Sequence, residues 1–143
     1  MNIKIENQDL FTVPQGYYLA HCISADFALG AGIAKKFTTI FDMKNKLNSF
    51  YSDYTFDNEG DALLVDNVFN LVTKERYWHK PTYKSLTEAL VSMRDQMDYL
   101  GIKKVAMPKI GCGLDRLDWE NVYEIIEDCF CDSDIEILIC VLS

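Results

Sequence analysis

An α/β domain with helices on both faces of a mixed sheet is what this sequence predicts, and three observations carry that expectation. Strand-length apolar runs alternate with amphipathic helical stretches along the chain. Two of those runs end in a glycine loop that opens a helix, one around Gly30 and Gly32 and one around Gly111 and Gly113. A third pair of runs, 61–65 and 68–73, is joined by Asp66 and Asn67, which suit a tight hairpin and make the sheet mixed rather than wholly parallel.

Taken in order, residues 2–6 alternate Ile3 and Ile5 with polar neighbours, the period of a half-buried strand. Residues 8–11 follow, before Pro14. Residues 17–23 form a largely apolar run, which suits a strand covered on both faces. The stretch from Ser24 to Ala34 then reads as strand end, glycine loop and the opening of a short helix near Ile33. Leu47, Phe50, Tyr51 and Tyr54 recur at helical spacing, and Asn58, Glu59 and Gly60 give a turn signal. After the hairpin and a break at 78–82, Leu86, Ala89, Leu90, Met93, Met97 and Leu100 make one apolar stripe of a long helix. Thr82 is its expected N-cap and Gly101 its expected stop. A strand at 103–107 leads into the second glycine loop. A helix follows, with Asp118 as N-cap and Trp119, Val122, Ile125, Ile126 and Phe130 on one face. Residues 135–142 are the last expected strand. With no repeat or linker between these elements, residues 1–143 read as one domain.

Composition bounds the function. The 143 residues are 49% hydrophobic and 25% charged, the balance of a globular chain. No apolar run approaches the ~20 residues of a membrane span, and residues 1–6 lack a signal peptide's apolar block. The net charge of −8 is concentrated: residues 117–143 hold eight acids and no Lys or Arg, which leaves 14 acids against 14 bases before them. The C-terminal segment is therefore expected to face away from any anionic ligand, and a broad nucleic-acid surface is disfavoured. Five cysteines without metal-ligand spacing, and two histidines, point to reduced thiols in a cytosolic protein, with no metal and no cofactor.

In open α/β sheets ligands bind beyond the carboxyl ends of strands. Three loops have that position here: 24–33, 74–80 and 108–118. The glycines let backbone approach an anion closely, and Asp115 sits beside the second loop, so a phosphate-bearing ligand is expected. Neither loop is a P-loop, because GxxxxGK[ST] does not occur. The plainer readings are a strand-end lysine in solvent for Lys74, a turn or cap residue for Asp115, and a turn histidine for His79. Cys112 reads as space-filling, since consecutive strand residues such as His21 and Cys22 face opposite ways and no base is apparent for a thiol.

The segments Ala20-His-Cys-Ile-Ser24, Gly30-Ala-Gly-Ile-Ala34, Leu71-Val-Thr-Lys74, His79-Lys-Pro-Thr-Tyr83 and 107–122 resemble the macrodomain family, in order and over essentially the whole chain. The resemblance is strongest to its terminal ADP-ribose protein glycohydrolase branch, which includes an O-acyl-ADP-ribose deacylase. It implies a three-layer α/β/α sandwich with ADP-ribose in a cleft. By position, Asp9 would take the adenine amino group and Leu10 would offer backbone to the ring. Gly30, Ala31, Gly32, Ile33 and Ala34 would form one phosphate loop. Pro108, Ile110, Gly111, Cys112, Gly113 and Leu114 would form the other. His21 and Ser24 would line the floor near the distal ribose, and Lys74 and Asp115 would be the catalytic pair. Gln8 stands where family members often have glycine. The Gly-Gly-Gly loop and upstream Asn of another hydrolytic branch are absent, so its water-activation scheme does not transfer.

The chemistry fits the pair: lysine adds to a carbonyl carbon such as that of an opened ribose, and a carboxylate relays protons and activates water. The expected partners are ADP-ribose and either ADP-ribosylated protein, through Glu or Asp side chains, or O-acyl-ADP-ribose. The expected protein is a monomer, cytoplasmic, or nuclear as well if eukaryotic. Two alternatives stand beside the hydrolase: a reader that binds ADP-ribose without cleaving it, and a hydrolase acting on ADP-ribosylated nucleic acid, at DNA bases, through a rim of Lys35, Lys36, Lys80, Lys109 and Arg116.

Overall fold

In the computed structural model, residues 2–55 and 59–142 are described. Among them six strands form one sheet: β1 (Ile3–Asn7), β2 (Tyr18–Ser24), β3 (Asp61–Val65), β4 (Val68–Lys74), β5 (Lys104–Met107) and β6 (Glu136–Val141). Four helices flank it: α1 (Gly32–Phe41), α2 (Met43–Phe50), α3 (Tyr83–Leu100) and α4 (Trp119–Phe130). The strand order is β1-β6-β5-β2-β4-β3, and only β3, joined to β4 through Asp66 and Asn67, runs antiparallel to its neighbour. Asp66 takes a left-handed φ of 54°, as such a short hairpin turn requires.

Strand alternation divides the core. Ala20, Phe69, Leu71 and Met107 point to the face covered by α3 and α4. Leu19, Ile23, Val68 and Val72 point to the face covered by α1 and α2. The result is the α/β/α sandwich expected of the chain. The acidic outer face of α4 lies in the α3/α4 layer.

Capping sets the helix positions. Ser85 donates its backbone N–H to Thr82 Oγ1 (3.0 Å), and Thr82 donates its own to Ser85 Oγ (3.1 Å). The Ser85 hydroxyl also donates to the buried Thr73 carbonyl at 2.6 Å, which pins the start of α3 to the end of β4. Asp118 caps α4 as expected, accepting from Glu120 N–H at 3.2 Å. Gly101 stops α3 with φ 74°.

Three expectations need correction. Leu100 is 53% exposed rather than part of the α3 core stripe. The left-handed turn at Gly101 reverses the chain, and Ile102, whose N–H bonds Met97 C=O at 2.9 Å, enters the core in its place. Ile5, on the edge strand β1, is likewise exposed. Trp119 is half-buried and serves partly as a ring beneath the Lys109 ammonium, 5.5 Å from its centroid. The turn signal at Asn58 falls outside the described residues.

Candidate active site

A cleft of about 850 Å³ opens at the carboxyl ends of β2, β4 and β5. That volume suits a mononucleotide-sized or larger ligand. Its walls come from all three loops expected on topological grounds: 28–34, 77–80, and 108–115 without Cys112. Cys22, Ser24 and Lys74 complete the floor.

Lys74 is the last residue of β4, and its Nζ lies 2.7 Å from Asp115 Oδ1. The two side chains are 14% and 19% exposed. This ion pair joins residues 41 positions apart at the cleft floor, so neither is a solvated surface charge. The fold places them closely. The start of α3 fixes the end of β4 through Thr73, and Ala25 N–H bonds Lys74 C=O at 2.9 Å across a register shift at the end of β2. Asp115 hangs from a loop closed on itself: Cys112 N–H bonds Lys109 C=O (3.2 Å), Arg116 N–H bonds Gly113 C=O (3.2 Å), and Leu117 N–H bonds Gly111 C=O (2.7 Å). Gly111 makes that closure possible. Its φ is 72°, and a Cβ there would come within 2.9 Å of Leu117 Cδ1.

Facing this loop is the start of α1. Ala31 has no polar side chain to cap it, and the first intrahelical bond is Lys35 N–H to Ala31 C=O, at 3.4 Å. The amides of Gly32, Ile33 and Ala34 therefore precede the helix's own hydrogen-bond ladder, beside the cleft, where the helix dipole favours an anion. Gly32 has φ 58°, and a Cβ on it would stand 3.4 Å from Leu114 Cδ1 of the opposing loop. The two glycine loops thus approach each other over the cleft, the arrangement that a diphosphate requires.

Burial disfavours the thiolate form of both cysteines at the site. Burial, with the charge of Asp115 beside it, pushes the Cys22 thiol up to about 12. Burial also raises Cys112, whose Sγ donates to Ile110 C=O at 3.3 Å. Cys112 fills space under the loop, and only its neighbours line the cleft.

The sequence reading left three contributors unnoticed. Asp26 accepts the Ser24 hydroxyl (2.5 Å) and Ala28 N–H (3.2 Å) on one oxygen, and Tyr77 N–H (3.0 Å) on the other. It ties the β2–α1 loop to the β4–α3 loop, and holds a turn in which Phe27 and Leu29 take left-handed φ of 53° and 43°. A short-side-chain acid two residues beyond a strand's final serine was the available signal. Tyr77 and Trp78 line the cleft and are 62% and 65% exposed, and His79 and Lys80 continue the same wall. Adjacent aromatics in a strand-end loop were their signal.

Four expected site residues do not reach the cleft: Cys112, tucked beneath its loop, and His21, Asp9 and Leu10. His21 is wholly buried on the α1/α2 face, stacked on Phe37 at 3.9 Å and bonded through Nε2 to Asn70 Oδ1 at 2.6 Å. Leu19 and Ile23 share that face, so strand alternation carries His21 into the core and not to the floor. Asp9 caps the 3-10 turn Leu10–Thr12, accepting Phe11 N–H at 3.0 Å, and Leu10 is a core residue. Neither lines the cleft. Their turn packs instead on the flank of α1, where Phe11 meets Phe37 edge-on at 4.9 Å. Ser24, Gly30 to Ala34, Pro108, Ile110, Gly111, Gly113 and Leu114 do line it.

With this geometry in place, the relatives are informative. A family model described as Macro domain matches residues 55–126. The chain is 41% identical to the ADP-ribose glycohydrolase OARD1 of Bos taurus over 138 residues, covering 94% of this chain and 88% of the relative. It is 40% identical to the Homo sapiens protein of the same name, with the same coverage. The chain belongs to the macrodomain family. Among solved structures, the macrodomain of Thermus aquaticus DarG superposes with a TM-score of 0.85 at 18% identity, covering 97% of each chain. A Thermosipho africanus DarTG structure, in complex with ADP-ribose, superposes with a TM-score of 0.82 at 19% identity, covering 97% of this chain and 41% of that one. These likenesses establish the macrodomain sandwich for this chain.

Proposed function

We propose that this macrodomain is an ADP-ribosyl hydrolase that frees terminal ADP-ribose from carboxylate esters, on Glu or Asp side chains or on small acyl groups. The observation that carries the reading is the Lys74–Asp115 pair, 2.7 Å apart at the floor of a cleft walled by two glycine loops. The relatives named ADP-ribose glycohydrolase support the same activity.

The diphosphate lies between the α1 N-terminus and the 111–114 loop. That seat brings the distal ribose over Lys74. The Lys74 ammonium gives up a proton, the freed amine adds to the anomeric carbon, and the carboxylate leaves as the acid that takes up that proton. The sugar ring opens to an imine on Nζ. Asp115 then activates water, which adds to the imine carbon and releases ADP-ribose with Lys74 restored. The net reaction consumes one water and yields ADP-ribose and a free acid. A reader module has no use for a lysine and a carboxylate paired at the ribose.

The test follows ADP-ribose release from a glutamate-ADP-ribosylated protein and from O-acetyl-ADP-ribose. Wild type releases it from at least one, and Lys74→Ala and Asp115→Ala are each severely impaired. Undiminished release by both variants overturns the assignment, and tight binding without release by wild type makes the protein a reader.

A further inference from the structure

Tyr77 and Trp78 are large aromatic side chains left about two-thirds exposed at the cleft. The chemistry proposed above gives them no task. Their loop is nonetheless held. Tyr77 N–H donates to Asp26, whose carboxylate also organises the β2–α1 loop, and His79 N–H bonds Arg76 C=O at 3.0 Å. A built loop that presents unburied aromatics beside a reactive pair is a recognition surface.

Topology says which part of the substrate it meets. The sheet order places β5, β2 and β4 side by side. The glycine loops that would seat the diphosphate follow β2 and β5, and Lys74 ends β4. Strands lie about 4.8 Å apart, so the path from the phosphates to Lys74 crosses the sheet toward β4. An ADP-ribosyl substrate runs adenosine, diphosphate, ribose, acceptor. Continuing past the ribose carbon at Lys74 leads to the 75–80 loop, and therefore to the acceptor.

The rings favour one kind of acceptor. Tyr77 and Trp78 stand at 89° with centroids 5.1 Å apart, and Trp78 and His79 at 79° and 5.4 Å. Successive nucleobases stack on roughly parallel planes; perpendicular rings make a corner instead. A corner suits a polypeptide backbone and its side chains, as paratope tyrosines and tryptophans do. Lys80 beside the rings complements an acidic peptide.

We propose that Tyr77 and Trp78 form an acceptor subsite that receives the polypeptide flanking the modified carboxylate, and so favour protein-linked over small acyl substrates. This rests on the hydrolase reading above. The experiment compares wild type with Tyr77→Ala/Trp78→Ala and with Tyr77→Phe/Trp78→Phe. It measures kcat and KM on a glutamate-ADP-ribosylated protein, on O-acetyl-ADP-ribose and on ADP-ribosylated single-stranded DNA. The alanine pair lowers the kcat/KM ratio of protein over O-acetyl-ADP-ribose by about tenfold or more, through KM, and the phenylalanine pair restores most of it. An unchanged ratio overturns the subsite, since the rings then act on ADP-ribose itself or on nothing. A loss confined to the DNA substrate overturns it in favour of a nucleic-acid acceptor. Wild type inactive on all three substrates overturns the hydrolase reading, and the subsite with it.

Discussion

Two polar pairs in this molecule share strand β4, four residues apart, and they differ in everything that follows. Asn70 pairs with His21 at 2.6 Å and Lys74 pairs with Asp115 at 2.7 Å. The first sits in the strand's middle, where helices cover both faces, and it is fully buried. There the surroundings suppress charge: burial lowers the His21 pKa from 6.5 to about 4. The neutral ring donates Nε2–H to the Asn70 carbonyl oxygen, and Asn70 donates onward to Leu63 C=O at 3.1 Å. The second pair sits where the strand runs out. Helix cover ends there, the loops open, and an ion pair can face a cleft and still be shielded. Position along a strand, more than residue type, separates the structural polar pair from the one proposed to do chemistry.

Removing the chemical pair should have the largest effect. Lys74→Ala is expected to cut release of ADP-ribose on the order of 10³-fold or more, because it removes the amine that adds to the anomeric carbon. Asp115→Asn, which keeps the shape and removes the base, is expected to cost roughly 10²–10³-fold. In both cases calorimetric affinity for ADP-ribose should change far less than turnover, and a parallel loss of both would make the pair a binding element like His21–Asn70.

The structural pair should register in stability instead. With its native pKa depressed, His21 is neutral when folded and protonates on unfolding between pH 6.5 and about 4. The unfolded state binds more protons in that window, so stability is fully present above pH 6.5 and falls as the pH drops toward 4. The shift corresponds to about 3 kcal/mol. Urea unfolding at pH 7 and pH 4.5 measures it, and His21→Leu should flatten this dependence while turnover per folded molecule changes little. A His21→Leu protein that folds but loses catalysis would erase the distinction between the pairs.

The smallest expected effect probes the link between loop and pair. Gly111→Ala forces a β-carbon into a left-handed position, at a cost of about 1–2 kcal/mol, and presses on Leu117. Thermal unfolding should register that loss, accompanied by a several-fold weaker affinity for ADP-ribose. No change in either would mean that the loop's closure does not position Asp115.

Much of this arrangement was legible from local rules. Thr82, Gly101 and Asp118 announce helix ends because caps are satisfied within a few residues. Asp66 and Asn67 announce the hairpin for the same reason. The glycine loops and their strand-end position identified the cleft, and the resemblance singled out Lys74 and Asp115. What stayed hidden depends on contacts distant in sequence. Asp26 gains its role only when residue 77 arrives beside it. His21 follows the alternation of Leu19 and Ile23, and the resemblance pointed the other way. Leu100 has the right helical phase but lies one residue before a reversal that hands its place to Ile102. Tyr77 and Trp78 appear in the sequence only as a break between a strand and a helix, and their exposure has meaning only beside the cleft.

The central claim is that Lys74 forms a covalent bond with the ribose and that Asp115 is needed to release it. Reductive trapping during turnover, followed by intact mass measurement and peptide mapping, tests it most directly. The expected result is an ADP-ribose adduct on the peptide carrying Lys74, more abundant in Asp115→Ala than in wild type. Vigorous turnover with no adduct on that peptide in either protein would contradict it.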